Sequence, residues 1–134
     1  MRTDIFSSAL VFLFVVLVTN TGLAQKSSIP IDLRCEYKID PKGLDIKQPR
    51  LSWQLAVEEK DRAIMQSAYQ IRVAGSLENL KKGINLIWDS GRLESDRCVH
   101  IPFKGQYLKS RGQYFWQVRI WDNQSGQGIW SEVA

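Results

Sequence analysis

Tyr114-Phe115-Trp116-Gln117-Val118-Arg119-Ile120-Trp121-Asp122 alternates residue by residue. Tyr114, Trp116, Val118 and Ile120 fall on one face; Phe115, Gln117, Arg119 and Trp121 fall on the other. A period of two in aromatic and β-branched residues describes a strand that lays one face on a core. The polar residues of the second face exclude burial on both sides, although Phe115 and Trp121 make that face unusually aromatic. Turn-forming residues, Asp122-Asn123-Gln124-Ser125-Gly126, end the run. Gly128 to Ala134, carrying Ile129 and Trp130, returns as a short strand, so the chain closes on a β-hairpin.

Upstream segments supply strands for this hairpin to pack against. Ile31 to Tyr37 places Ile31, Leu33, Cys35 and Tyr37 on one face. After a turn at Asp40-Pro41-Lys42-Gly43, Leu44 and Ile46 are expected to tuck back against the core. Arg50 to Leu55 points Leu51, Trp53 and Leu55 inward, with Trp53 at the core centre. Glu58 to Asp61 is a charged loop. Ala68 to Ala74 points Tyr69, Ile71 and Val73 inward, with Gln70 and Arg72 outward. Ser76 caps one helical turn. Leu86 to Asp89 is a short strand, and Arg97 to Phe103 another, with Val99, Ile101 and Phe103 on one face and Pro102 marking an edge. About seven short strands with turn signals roughly every 8 to 12 residues describe an all-β, immunoglobulin-like β-sandwich. Leu108, ahead of Tyr114, suits a tyrosine corner, in which the phenol bonds back to the upstream backbone.

The first residues form an export signal: Arg2, an apolar run from Ile5 to Val18, then Gly22-Leu23-Ala24. The run is shorter than the roughly 20 residues that span a bilayer. The domain plan is therefore 1–24, signal peptide, and 25–134, a sandwich of about 110 residues, one domain's worth. The net charge of +4 is spread over scattered bases, unlike the clustered stripe of a nucleic-acid binder. Cys35 and Cys98 in an exported chain invite a disulfide. Alternation argues against it, because Cys35 shares an inward face while Cys98 shares its face with His100.

The ordered segments Leu33-Arg34-Cys35-Glu36-Tyr37, Pro49-Arg50-Leu51-Ser52-Trp53, Ala68 to Ala74, Trp88-Asp89-Ser90-Gly91, and Tyr114 to Asp122 followed by Trp130-Ser131 carry a resemblance. Together they resemble the N-terminal fibronectin-type-III-like domain of bacterial α-L-rhamnosidases of glycoside hydrolase family 78. The resemblance covers almost all of residues 25–134; at the corner, Ser110 stands where a proline is usual. It implies a non-catalytic accessory domain and an N-terminal piece of a longer enzyme. Hydrolysis of terminal α-L-rhamnosides would then belong to a downstream helical barrel, so no family catalytic residue carries over. The implied partners are the downstream catalytic and β-sandwich domains, and rhamnosylated glycans; nucleic acid is not implied, nor membrane after signal cleavage. The implied location is exported, periplasmic or extracellular.

The chain's own chemistry agrees with that division. Glu58, Glu59, Asp61, Asp89, Glu94 and Asp96 are loop acids, and no spacing selects the carboxylate pair a glycosidase needs. His100 is the single histidine and has no nucleophile elbow beside it. No cofactor, metal or phosphate-loop motif is present. The candidate surface is the outer face bearing Gln70, Arg72, Gln117, Arg119 and Trp121. It reads as a docking face for the following domain, as a plain strand surface with arginine stems over Trp121, or as a sugar platform. Two other functions remain open: a stand-alone carbohydrate-binding module with exposed Trp121 and Trp88, and the periplasmic fibronectin-like segment of a sensor receptor.

Overall fold

The computed structural model describes residues 28–56, 63–124 and 126–134. Residues 1–24, read above as a signal peptide, and the stretch Glu58 to Asp61, read as a loop, lie outside the described residues.

Two antiparallel sheets face each other. The first is ordered β1 (Ile29–Cys35), β2 (Arg50–Ala56), β6 (Ile101–Pro102). The second is ordered β4 (Trp88–Asp89), β3 (Gln66–Ala74), β7 (Phe115–Asp122), β8 (Gly126–Gln127), and β5 (Leu93–Glu94) also pairs with β3. This is the β-sandwich expected from the alternation. Leu33, Leu51, Trp53, Ile101 and Phe103 from one side meet Tyr69, Ile71, Val73, Trp116, Val118 and Ile120 from the other. Trp53 is 1% exposed and packs edge-on against Tyr69, with ring centroids 5.3 Å apart. The one helix among the described residues, α1 (Leu77–Lys82), starts where Ser76 Oγ accepts the Asn79 N–H at 3.2 Å and ends at left-handed Gly83.

Positive-φ residues change the register of the first sheet. Asp32 (φ 50°) sits in a bulge between Ile31 and Arg34. The extra residue flips the parity, so Pro30 and Leu33 are buried while Ile31 is exposed. The strand ends at Cys35, where Glu36 and Tyr37, both at positive φ, form a tight turn closed by Cys35–Lys38 backbone bonds of 2.9 and 3.0 Å. Tyr37 therefore leaves the core face. His100 (φ 56°) breaks the Arg97 to Phe103 strand in the same way, leaving only Ile101–Pro102 in the ladder and Val99 exposed. Leu44 and Ile46 do not tuck back; both are exposed.

The same break puts Cys98 on the core side, so both thiols pack against the core rather than one facing out. They are free for a different reason from the one alternation suggested. Strand β2 lies between them: Cys35 pairs with Leu51, and the Cys98 carbonyl accepts the Trp53 N–H on the opposite edge. Two strand spacings of about 4.8 Å exceed the roughly 6.8 Å Cα limit of a disulfide.

At the start of β7, the Lys109 N–H donates to the Tyr114 hydroxyl at 2.6 Å, which is the tyrosine corner. Gly112 makes room for it, since a Cβ there would lie 2.6 Å from that hydroxyl. The final segment follows β7 less regularly than a full strand. Gly128, Ser131 and Ala134 bond to the backbone of Ile120, Val118 and Trp116.

Candidate functional site

Pairing of β3 with β7 sets Gln70 opposite Arg119 and Arg72 opposite Gln117, and Trp121 lies opposite Ala68. All of Gln70, Arg72, Gln117, Arg119 and Trp121 therefore share the outer face of the second sheet. β4 adds Asp89 opposite Arg72. Ser131, buried and bonded to Val118 through its N–H at 2.8 Å and its Oγ at 3.1 Å, holds the final segment against β7. The neighbouring Trp130 is then laid outward across the arginines.

The result is a ladder of guanidinium and indole groups. Arg92 lies 4.8 Å and Arg119 5.2 Å from the Trp121 ring centre. Arg119 also lies 4.6 Å from Trp130, and Arg72 lies 4.7 Å from the same ring. Cation–π contacts of this kind bury apolar ring faces while charged edges stay wet. A hydrogen-bonded chain underpins the stack. Arg119 Nε donates to Gln70 Oε1 (2.9 Å), Gln70 Nε2 to Asp89 Oδ1 (2.7 Å), and Arg72 Nε to Asp89 Oδ2 (3.1 Å).

Burial alone would raise the Asp89 carboxyl; hydrogen bonds from Gln70, the Gly91 N–H and Arg72 outweigh it and hold it below the usual range. Burial, with Arg72 nearby, lowers Arg119 against the opposing pull of Asp89.

Trp121 is only 8% exposed beneath Arg92 and Arg119, and Gln70 and Gln117 are buried. A sugar platform needs an open ring face, and both charged neighbours of Trp121 stand where a sugar would stack. Trp88, the other ring invoked for sugar binding, packs edge-on against Phe103 at 5.2 Å. Outward alternation identified four residues of this arrangement, Gln70, Arg72, Arg119 and Trp121, with Gln117 beside them on the same face. It missed Trp130, Arg92 and Asp89, the last counted among the loop acids; the Trp130-Ser131 pair was the available signal.

Other candidate groups are engaged elsewhere. Glu94 pairs with Arg92 at 2.7 Å. Asp89 and Glu94 face Arg72 and Ala68, four positions apart along β3. At about 3.4 Å per residue that is roughly 14 Å of strand, beyond the reach of a glycosidase pair. His100 lies in the bend before β6 rather than in a strand; it is half-buried, and its ring shares a hydrogen bond with Tyr37 and packs edge-on against it. Among the described residues, no three His, Cys, Asp or Glu side chains gather as metal ligands.

Residues 30–134 match the Rha78A-like, N-terminal immunoglobulin domain. The chain belongs to this family. The Rha78A-like domain is 47% identical over 96 residues to an α-L-rhamnosidase of Streptomyces avermitilis, covering 72% of this chain and 9% of that protein. It is 33% identical over 95 residues to one of Formosa agariphila, covering 71% and 10%. The solved structure of the Streptomyces avermitilis enzyme complexed with L-rhamnose superposes with a TM-score of 0.74 at 40% identity, over 81% of this chain and 10% of that one. The α-L-rhamnosidase of Dictyoglumus thermophilum gives 0.73 at 39%, over 81% and 12%. The chain thus spans about a tenth of the curated relatives it matches, and that tenth is the immunoglobulin-like domain, not the catalytic one.

Proposed function

We propose that this chain is the non-catalytic N-terminal accessory domain of an exported enzyme that hydrolyses terminal α-L-rhamnosides. Its role is to dock against the catalytic body and hold it in position. The observation that carries this is the 47% identity to the Streptomyces avermitilis α-L-rhamnosidase, confined to the immunoglobulin-like domain. Export rests on the leader at residues 1–24, with cleavage before Gln25 and a periplasmic or extracellular destination.

The test is an aryl α-L-rhamnoside assay on the full-length parent enzyme and on residues 25–134 alone. Turnover by the parent and none by the short chain is the expected pair. Turnover by the short chain overturns the accessory assignment, and an inactive parent overturns the rhamnosidase assignment. Mass spectrometry of the exported protein checks the leader: an intact Met1 after export removes the cleavage site.

A further inference from the structure

The connections at one end of the sandwich are 36–49, 75–87, which holds α1, and 103–114. Several contacts bring these loops and Ala134 together. The Phe103 N–H donates to the Pro49 carbonyl and the Gln106 N–H to the Ile87 carbonyl. Ala134 exchanges two backbone hydrogen bonds with Trp116, opposite Val73 near the end of β3. The same end exposes large apolar side chains: Tyr37 at 57%, Ile39 at 64%, Leu44 at 37%, Ile46 at 46% and Tyr107 at 74%. Two of the loops meet here, with the Lys47 ammonium 5.8 Å from the Tyr107 ring centre. The ladder face differs, because its Trp121 is already covered. Clustered apolar atoms left in water mark a surface that another body covers.

We propose that this loop end is the docking surface, and that its occupant is the domain that follows residue 134 in the parent enzyme. This rests on the accessory-domain reading above. Two observations select the occupant. The family is an N-terminal domain that makes up about a tenth of its relatives. Residue 134 lies at the same end as Tyr107 and Ile46, so a chain continuing from it emerges beside the exposed residues. The occupant's contact surface is apolar, with aromatic side chains able to pack on Tyr107.

The experiment uses the full-length parent enzyme with Ile46→Asp, Tyr107→Asp or, as a control, Met65→Asp. Met65 is 62% exposed at the opposite end, beside Asn123. Aspartate at a free surface position is close to neutral, whereas at a covered one it forces a carboxylate out of water. Ile46→Asp and Tyr107→Asp are expected to lower the thermal midpoint by about 2–4 °C, and Met65→Asp to leave it unchanged. Hydrogen exchange is expected to rise about tenfold both in residues 41–48 and in the domain that follows. Three results overturn the proposal: an unchanged midpoint, an equal loss with Met65→Asp, or faster exchange confined to the domain's own loops. The rhamnosidase assay on the same samples separates the two failures. An active parent with an indifferent loop end sinks only the docking surface; a parent without activity sinks the rhamnosidase reading. A reading frame with no domain after residue 134 overturns both.

Discussion

Trp53 shows how one side chain joins both sheets. Its indole N–H donates to Gln66 Oε1 at 3.0 Å, and the Gln66 amide donates to the carbonyls of Ser95 and Arg97 at 3.0 and 2.7 Å. A buried glutamine is stable here because its partners are supplied from β2 and the loop before β6. Trp53→Phe removes the donor and leaves both a void and an orphaned acceptor. The expected loss is about 2–4 kcal/mol, read as a lower urea midpoint. Cys35 makes a second prediction. Burial, then the neighbouring Glu36 carboxylate, pushes its thiol from 9.0 to about 11. Iodoacetamide at pH 8 should alkylate it on the order of a hundredfold more slowly than in the urea-unfolded chain, because the thiolate is the nucleophile. The folded value lies above the unfolded one, so this thiol's contribution to stability is complete below pH 9 and is lost as pH rises toward 11.

At the scale of elements, the corner ahead of β7 depends on a residue without a side chain. Tyr114→Phe should cost about 1 kcal/mol, the net worth of the Lys109 hydrogen bond. Gly112→Ala should cost more, because the new methyl displaces the ring as well as its hydroxyl; urea unfolding of the two variants checks the order. The ladder across β3, β7 and the final segment makes a spectroscopic prediction. Arg119 covers Trp121 and Trp130 together, whereas Arg92 covers Trp121. Arg119→Ala should therefore shift tryptophan emission to the red and raise acrylamide quenching more than Arg92→Ala does. Equal shifts would mean that Trp130 is not held under Arg119.

Across the whole molecule, stability in acid is tied to Asp89, which joins β4 to the ladder. Its folded value lies below 3.8, so its contribution is present above that pH and is lost as pH falls through the folded value. In Asp89→Asn this part of the acid dependence should disappear; an unchanged acid titration of stability would remove Asp89 from the account. Much of the architecture was legible beforehand. The β2, β3 and β7 core faces, the Ser76 cap, the corner and the edge position of Pro102 each rest on a short-range pattern. The candidate face was half legible. Alternation put Gln70, Arg72, Gln117, Arg119 and Trp121 outward, but outward did not mean exposed.

The inward faces of β2, β3 and β7 and the family itself were determined by the sequence alone, because a period of two is local and survives whatever lies across the sheet. The tertiary structure decided three things. It placed left-handed residues at Asp32 and His100, which invert the parity beyond them. It set β2 between the two cysteines. It brought Arg92 and Trp130 over a face that β3 and β7 leave open. Each depends on residues distant in sequence meeting in space: a strand's pattern tells which side a residue faces, and only the neighbours that arrive there decide whether that side is wet.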